Sequence, residues 1–439
     1  MTAWMQDLRP IRPIQVVDVL PGPLLLSSPT DPRDRTSHTA RWGAVPTATL
    51  EQLVAAARDG VVRGRGGAGF PLVRKLQAVA TAHAARRRLG RGRPVVVVNA
   101  AEGEPASAKD SVLLAVAPHL VLDGAISAAR ALGTNEIHVV TSSDRPLSTQ
   151  ALTEALDERG GGDERGVRWV HHVAAPGYVS GQSRAVIELM SGRPGLPVTS
   201  WAPEAVEGLR GRPTLLSNAE SFAHLAALLR VGPGRYAALG VEGEPGTTLL
   251  TLSHPPGADG VPQQARVVEV RHGSPVRAVL TGAELAGPVL LGGYHGSWVH
   301  PRHLRELTWA TADLRRIGVG LGAGAVVALG PGGCPVAQTH RVADYLAGES
   351  AGRCGPCRNG LPALAHEVAR LAQGTDTRHR IAELTGLVTG RGACAHPDGT
   401  ARMVASLLTG LPDAVEAHLD GSCWCTLEVA NHEPDLVDA

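Results

Sequence analysis

The chain has very little lysine and few aromatic side chains. It has 42 basic residues, but only two of them, Lys75 and Lys109, are lysines, and aromatic residues make up 3% of the sequence. One of its two phenylalanines, Phe70, lies close to Lys75. Because arginine replaces lysine almost everywhere else, we take the two remaining ammonium groups as pointers to functional positions.

The charge balance and the absence of long apolar runs exclude two classes of protein. Basic residues and the 41 acidic residues nearly cancel, to a net charge of +1, and no basic stripe interleaved with aromatic residues occurs. This argues against a nucleic-acid-binding body. The apolar runs, such as residues 95–98, have the length of a strand and cannot span a bilayer, and the first residues lack the apolar core of a secretory signal. We therefore expect a soluble cytoplasmic protein without a membrane span.

Cysteine is absent from the first three quarters of the chain. In a large intracellular chain, clustered cysteines indicate metal or redox chemistry before disulfides. Two of them form a C-x2-C motif between two predicted helices, and a third lies between the next two helices, so loops at one end of an antiparallel bundle would bring three thiolates together. This arrangement suits an iron–sulfur cluster, and it suits zinc nearly as well, because a nearby histidine would complete a Cys3His site. The three predicted metal ligands are Cys354, Cys357 and Cys394, the histidine is His396, and the other cysteines are Cys334, Cys423 and Cys425.

The pattern along the 439 residues predicts several domains. After a Pro-rich stretch without periodicity, strands alternate with helices, which is typical of a doubly wound α/β domain. Two strands with Pro-Gly turns then indicate a small α+β unit, and four segments with helical apolar spacing indicate a bundle. The predicted boundaries are an extended arm at 1–45, an α/β domain at 46–240, a small α+β domain at 241–310, a helical bundle at 311–420 and a tail at 421–439.

A glycine-rich loop, GRGGAGF, precedes Lys75. Glycines at Gly64, Gly66 and Gly67 let the main chain approach a ligand closely, so that successive N–H groups can converge on an anion. Arg65 and Lys75 would add charge for a phosphate. Taken alone, the loop is better explained as a plain tight turn, and the motif that follows changes that balance.

A second motif follows a buried strand. Asn99, Glu102 and Glu104 lie where the strand at residues 95–98 ends, and parallel α/β sheets bind ligands at this edge. A phosphate cradle next to an amide and two carboxylates suits a nucleotide or flavin mononucleotide (FMN).

The motifs in this order resemble the flavin-bearing, NADH-oxidising 51 kDa subunit of respiratory complex I and its relatives in soluble hydrogenases and formate dehydrogenases. The shared pattern is GRGGAGFP, N-A-x-E-x-E-P-x-x-x-K-D, a Y-x-x-G turn at residues 178–181, P-T-x-x-x-N-x-E at residues 213–220 and E-S-x-G-x-C-x-P-C-R. The resemblance implies a Rossmann-like FMN-binding domain, a β-grasp unit and a helical bundle that carries a 4Fe–4S cluster. The cofactor-binding residues that we predict are Gly64, Arg65, Gly66, Gly67, Phe70, Lys75, Asn99, Glu102, Gly181 and Asn218; Glu102 and Glu104 are the predicted catalytic residues, and Cys354, Cys357 and Cys394 are the predicted cluster ligands.

The chain departs from the family pattern at both cofactors. Ala351 occupies the position of the family's first cluster cysteine. The replacement ligand could come from Ser350, from His396 or from the tail that contains Cys423 and Cys425, or the iron position could stay open. We expect Cys334, which a helix separates from Cys354, to lie roughly 18 Å away as a buried apolar residue. On the nicotinamide side, the family's acidic and aromatic positions are occupied by Ala101, Gln182, Ser183 and Ala78, and its K-P-P-F segment by residues 199–202. Binding of NADH is therefore left open.

We predict an electron-transfer oxidoreductase subunit that passes electrons from NAD(P)H or another donor through FMN to the cluster. The expected partner is a ferredoxin-like protein or a companion iron–sulfur subunit, an expectation that rests on the resemblance alone. The alternative is a non-catalytic assembly or binding subunit with a degenerate cofactor site, or with zinc in place of the cluster.

Overall fold

The computed structural model describes residues 11–87, 92–160, 164, 166–257 and 260–423. Cys425, one of the replacement ligands considered above, lies outside the described residues. The first part contains β1 (Asp18–Leu20), α1 (Arg35–Trp42), α2 (Leu50–Asp59), α3 (Leu72–Arg87), β2 (Val95–Ala100), α4 (Lys109–Val116), α5 (Pro118–Ala131), β3 (Glu136–Ser142), α6 (Pro146–Asp157), β4 (Arg168–Ala174), α7 (Ser183–Met190), β5 (Thr214–Asn218) and α8 (Ala219–Ala237). The second part contains β6 (Thr247–Pro256), β7 (Pro262–Arg271), β8 (Val289–Leu291), β9 (Ser297–Val299), α9 (Pro301–Leu304), α10 (Thr311–Arg316), β10 (Ala325–Ala328), α11 (Pro335–Gly348), α12 (Leu361–Ala372), α13 (Arg378–Val388), α14 (His396–Gly410) and α15 (Pro412–Leu419).

A four-stranded parallel sheet with the order β4-β3-β2-β5 forms the centre of the first part. The four valines of β2 are completely buried, because helices cover both faces of a parallel sheet. Asn99 and Asn218 are register partners at the carboxyl ends of β2 and β5. The predicted α/β domain is confirmed, and its two site asparagines are neighbours.

Two helices pack tightly behind this sheet. A Cβ atom at Gly124 of α5 would lie 2.0 Å from the carbonyl oxygen of Phe222 on α8, so only glycine permits this approach. Phe222 itself is fully buried in the core. The second phenylalanine of the chain therefore has a packing function.

A six-stranded mixed sheet has the order β1-β7-β6-β10-β8-β9. Its outer strand β1 comes from the predicted arm, and β10 follows residue 310, so the sheet takes strands from both sides of the 241–310 unit. The arm is anchored by Glu269 of β7, whose carboxylate accepts hydrogen bonds from the backbone N–H groups of Leu24, Leu25 and Leu26. The arm also contains the helix α1, which the absence of periodicity did not predict.

The helices α11 to α15 form the predicted bundle around a common apolar core. A π-helical turn at Pro356–Gly360 joins the cysteine loop to α12 and contains Cys357. α14 begins at His396, so Cys394 lies just before a helix N-terminus.

Within the described residues, no single helix is long and apolar enough to cross a membrane. α4 and α5 meet the length and composition requirement only as a pair bent by 95°. Most of the residues of α5 are buried inside the protein.

Candidate functional site

The glycine-rich loop is a tight hairpin at the edge of the parallel sheet. The N–H group of Gly64 donates to the carbonyl oxygen of Phe70 at 2.8 Å, and Gly67 (φ +98°) has a backbone conformation that favours glycine. The tip at Gly66 and Gly67 is exposed, and a Cβ atom at Gly66 would lie 3.8 Å from the Cβ atom of Asn218. The loop therefore presents main-chain amides beside the carboxyl end of β5.

Lys75 lies in the first turn of α3 and faces the same sheet edge. Its ammonium group donates to the carbonyl oxygen of Leu216 at 2.9 Å, and burial lowers the pKa of Lys75. Among the described residues, Leu216 is its only hydrogen-bond partner, and an ammonium group has three donors. Lys75 can therefore also bind an anion at the glycine loop.

Asn99 and Asn218 link the strand ends to the neighbouring loops. The Asn99 side chain donates to the carbonyl oxygen of Gly181 at 2.7 Å. The Asn218 side chain caps α8 by accepting from the N–H group of Glu220 at 3.1 Å, and it donates to Asp110 at 2.6 Å. The structure thus brings the glycine loop, Asn99, Gly181 and Asn218 together at one edge of the sheet.

The other lysine, Lys109, belongs to a buried ion network. Its ammonium nitrogen lies 3.0 Å from carboxylate oxygens of both Asp110 and Glu220. Burial opposes the charge, but these carboxylates raise the pKa of Lys109, so it remains protonated. Arg65 joins the network from the glycine loop: its guanidinium group donates to the carbonyl oxygen of Thr247 at 2.9 Å and lies 3.8 Å from Glu220. Arg65 therefore ties the loop to α8 and β6, and Lys109 ties α4 to α8.

A cavity of about 150 Å³ lies next to this network. It is bounded by the glycine loop on one side and by residues 320–324 on the other, with Lys109 and Glu220 in its wall. This cavity adjoins the glycine loop, where we predict that the nucleotide binds.

The two predicted catalytic carboxylates hold loops in place. Glu102 accepts from the Ser107 hydroxyl at 2.5 Å, the Asp110 N–H group at 3.2 Å, and both the N–H and hydroxyl groups of Ser111, at 3.2 and 2.7 Å, so it caps α4. Burial opposes its ionisation, but Arg145 and Lys109 with these hydroxyl groups lower the pKa of Glu102. All of these contacts are structural, and a catalytic role for Glu102 stays a prediction.

Glu104 connects three segments. It accepts from the N–H group of Tyr294 at 2.8 Å, from the hydroxyl group of Tyr178 at 3.0 Å and from the N–H group of Ala106 at 3.2 Å. Burial raises the pKa of Glu104 to about 7. Its catalytic role likewise stays a prediction.

The three predicted metal ligands lie close enough for their thiol groups to interact electrostatically. Burial raises the pKa of Cys357 to about 12, and the adjacent Cys354 and Cys394 thiols contribute to this increase. Burial also raises the pKa of Cys394, whereas backbone N–H groups of Ala393 and Cys357 lower the pKa of Cys354 against the effect of its burial. Three thiols whose charges interact in this way form a group that a metal centre would stabilise as thiolates.

The turn at residues 177–182 contacts both the flavin-side residues and the cysteines. Gly181 accepts the hydrogen bond from Asn99, and the side chain of the next residue, Gln182, lies close enough to Cys394 to lower the pKa of its thiol against the effect of burial. The N–H group of Tyr178 donates to the Glu349 carboxylate at 2.8 Å, two residues before Ala351. One short turn therefore joins the sheet edge to the cysteine loops.

His396 is not available as the fourth ligand. Its Nε2 atom hydrogen-bonds to the carbonyl oxygen of Leu346 at 2.8 Å, and its Nδ1 atom to His295 at 3.1 Å. Both ring nitrogens are thus occupied, which removes the main argument for a Cys3His zinc site. Cys423 lies beside Cys334 and His418, at the other end of α11 from the cysteine loop, so it does not replace Ala351.

Comparisons with known proteins agree with this geometry. Residues 57–227 match the family model of the Nuo51 FMN-binding domain, and residues 337–418 match that of the NADH-ubiquinone oxidoreductase-F iron–sulfur binding region. The chain is therefore similar to the flavin-bearing subunit of complex I in both its FMN-binding domain and its iron–sulfur region. The glycine loop and the three predicted cysteine ligands lie within the matched residues.

Two relatives and one solved structure show how far the likeness to this family extends. The F subunit of NADH-quinone oxidoreductase in Streptomyces coelicolor is 29% identical over 389 residues, covering 84% of each chain. The corresponding F 1 subunit in Rhizobium meliloti is 28% identical over 377 residues, covering 82% of this chain and 84% of the relative. The crystal structure of an NAD+-reducing NiFe hydrogenase in the H2-reduced state superposes with a TM-score of 0.77 at 26% identity, covering 92% of this chain and 68% of that chain.

The residues present fit both cofactors of the family. An FMN phosphate needs anion-binding groups; the exposed glycine tip supplies main-chain amides, and Lys75 supplies an ammonium group at β5. The buried hydroxyl oxygen of Ser217, beside Asn218, has no hydrogen-bond partner among the described residues and is therefore a candidate contact for a ligand. For the cluster, the chain supplies three thiols, at Cys354, Cys357 and Cys394, where four would be needed, and Ala351 contributes none.

Sequence reasoning gave no role to several residues at this site. Glu349 and Gln182 stood out only as parts of motifs. Gln182 belongs to the turn at residues 177–182, and Glu349 accepts a hydrogen bond from that turn. Trp201 lies in the segment that replaces the family's K-P-P-F, and its side chain is 101% exposed. An isolated tryptophan between polar and proline residues, outside any periodic pattern, was the signal that could have identified it.

Proposed function

We propose that this chain is an electron-transfer subunit that accepts electrons at FMN, bound near residues 64–69, and delivers them singly through an iron–sulfur centre held by Cys354, Cys357 and Cys394. FMN, when bound, accepts two electrons as a hydride and releases them one at a time, which matches a one-electron acceptor. The single observation that carries this proposal is the turn at residues 177–182, which contacts Asn99 on one side and Cys394 on the other.

The chain's own groups would position the cofactor. The main-chain amides at Gly66 and Gly67 and the Lys75 ammonium group would bind the phosphate, because they are the anion-binding groups exposed at the sheet edge. Asn99 and Asn218 would fix the ring from the strand ends. Glu102 would act indirectly, by keeping α4 and therefore Lys109 in place.

The favoured donor is NADH. Aromatic faces are the usual stacking surface for adenine and nicotinamide rings, and such a surface must be accessible. Phe70 is 47% exposed at the mouth of the glycine loop, and Trp201 is fully exposed. These two side chains would compensate for the family's aromatic and acidic positions that are missing here.

The favoured partner is an acidic electron carrier or a companion iron–sulfur subunit. Three exposed arginines, Arg353, Arg358 and Arg391, lie within three positions of the cysteines along the chain. A basic rim around a redox centre attracts a partner with negative charge and orients it during encounter. The expected consequence is a rate of electron delivery that falls as the ionic strength rises.

The test is a visible spectrum of protein purified without oxygen, together with flavin and iron analysis. We expect flavin bands and a broad iron–sulfur absorption, and bleaching of the flavin on addition of NADH. A colourless protein without flavin or iron would contradict the proposal. Reduction by dithionite but not by NADH would contradict the choice of donor.

Two variants localise the cofactors within the chain. Lys75→Ala should lower flavin content several-fold and leave the iron content unchanged, whereas Cys357→Ser should lower the iron content and leave the flavin. Arg74→Ala is the matched control for the first variant, because it removes a neighbouring charge on the same helix. Loss of both cofactors in both variants would mean that the variants unfold the chain.

A further inference from the structure

A second group of metal-ligand side chains lies away from the predicted iron–sulfur site. The thiols of Cys334 and Cys423 and the imidazole of His418 have ligand atoms that all lie within 4.8 Å of one another. Cys334 and His418 are buried, and Cys423 is half-buried. We propose that Cys334, His418 and Cys423 bind a zinc ion that closes the C-terminal helical bundle.

The distances match zinc coordination. Zinc bonds of about 2.3 Å to sulfur and about 2.0 Å to nitrogen, at tetrahedral angles, separate a sulfur and a nitrogen ligand by about 3.5 Å and two sulfur ligands by about 3.8 Å. The Cys334 sulfur lies 3.5 Å from Nδ1 of His418. Cys334 and His418 are therefore already at the separation that the ion requires, and the Cys423 sulfur lies within 4.8 Å of both ligand atoms.

The histidine is oriented as a metal ligand. Its Nε2 atom lies 3.0 Å from the carbonyl oxygen of Ala372 at the end of α12. A carbonyl oxygen only accepts, so Nε2 carries the proton, and in the neutral ring the lone pair of Nδ1 faces Cys334. Histidines that bind zinc commonly donate their other ring N–H to a carbonyl group in this way.

The backbone also holds both cysteines in place. Cys334 is the N-cap of α11, and its sulfur accepts from the N–H group of Ala337 at 3.4 Å. The positive end of a helix favours a negatively charged ligand such as a thiolate. Cys423 donates its N–H group to the carbonyl oxygen of Ala417 at 2.7 Å, which turns the chain back after α15.

The ligand set selects zinc among the common divalent ions. Two thiolates and one imidazole are soft and borderline ligands, which calcium and magnesium do not prefer. The ion would join the first helix of the bundle to the last helix, α15, and to the end of α12. Its role is therefore structural, and binding would favour the folded bundle.

The zinc site and the iron–sulfur site lie at opposite ends of α11. This helix has 14 residues, which corresponds to a length of about 21 Å. The sites therefore share no ligand, and their metal contents can be changed independently. This separation makes the proposal testable apart from the proposed function.

The experiment measures zinc and iron separately in full-length protein purified without oxygen or chelator. We expect about one zinc ion per wild-type chain, and at least a tenfold lower zinc content in Cys334→Ser and in His418→Asn with the iron content unchanged. Cys394→Ser should show the reverse, and His366→Asn, an exposed histidine on α12, should change neither. Cys425 is left intact in every variant.

A second measurement needs no variant. Wild-type protein depleted of zinc and supplied with Co2+ should show the intense visible bands of a tetrahedral site and thiolate-to-cobalt absorption in the near ultraviolet. The proposal is overturned if the wild-type chain binds neither zinc nor Co2+ at this site. It is also overturned if peptide mass spectrometry of the isolated protein finds Cys334 and Cys423 joined as a disulfide.

Discussion

Substitution of Glu102 is the sharpest test of whether a predicted catalytic residue has a structural or a catalytic role. Its carboxylate accepts four hydrogen bonds at the start of α4, and Glu102→Ala removes all of them. A hydrogen bond to a charged group contributes about 1.5–3 kcal/mol, but such values are not additive, and the variant also relieves the cost of burying a charge. We therefore expect a loss of about 3 kcal/mol, within the range of the larger single-residue effects.

Hydrogen exchange is the suitable assay, because a chain with several domains need not unfold in two states. A loss of about 3 kcal/mol corresponds to roughly 150-fold faster exchange of the amides in α4, which contains Lys109–Val116. Glu102→Gln, which keeps the shape and one acceptor oxygen, should show about half of the free-energy loss. The pKa of Glu102 is lowered in the folded protein, so its ionised form stabilises the fold. This stabilisation is complete above the ordinary glutamate pKa of 4.5 and is lost as the pH falls below that value.

The reasoning would be refuted by the opposite pattern. If the exchange of α4 changes less than about threefold in Glu102→Ala while flavin reduction by NADH falls about 100-fold, Glu102 acts on the chemistry and not on the helix. A parallel loss of flavin content and of α4 protection supports the structural role. In that case the slow reduction follows from a displaced Lys109.

Three further predictions concern the turn, the missing ligand and the buried acid. Gln182→Ala should lower the reduction potential of the iron–sulfur centre, because the Cys394 thiolate loses a hydrogen bond. A redox titration followed by electron paramagnetic resonance measures this potential. An unchanged potential contradicts the contact between Gln182 and Cys394. Ala351→Cys should increase iron per chain and slow iron loss to a chelator; equal loss rates would show that a fourth ligand is already present. Because the pKa of Glu104 is raised to about 7, its ionisation opposes folding. The free energy of unfolding, measured with urea, should therefore fall by up to about 3 kcal/mol between pH 4.5 and 7. Glu104→Gln should make the free energy of unfolding less dependent on pH in this range.

Helices and strands with a regular spacing of apolar residues could be predicted from the sequence. Elements that depend on contacts with distant parts of the chain could not. The valines of β2 and the apolar spacing in α12 and α13 predicted those elements correctly, because burial on a fixed period determines them. The strand β1 is defined by its pairing with β7, and nothing in its three residues indicates that partner. Glu269 shows the same limit, since its function is to bind a backbone segment that lies far away in the sequence.

The candidate site was predictable in its residue types and less so in their orientation. The sequence singled out both lysines, but Lys75 hydrogen-bonds to the backbone of β5 while Lys109 is neutralised inside an ion network. Sequence spacing alone does not distinguish a lysine that has free donors from a buried counter-ion. Arg65 is the same case: its place in the glycine loop predicted a phosphate contact, and its guanidinium group binds the carbonyl oxygen of Thr247.

The backbone determines how the turn at residues 177–182 packs on the segment after β2. A Cβ atom at Gly181 would lie 2.2 Å from the carbonyl oxygen of Ala101, and one at Gly103 would lie 2.6 Å from that of Tyr178. Main chain therefore packs on main chain here, and a side chain at either glycine would push the two segments apart. Substitutions such as those at Ala351 and Gln182 can then change how each redox centre is held while the geometry between the centres persists. This explains how a chain with an altered ligand set can still fold as an electron-transfer subunit.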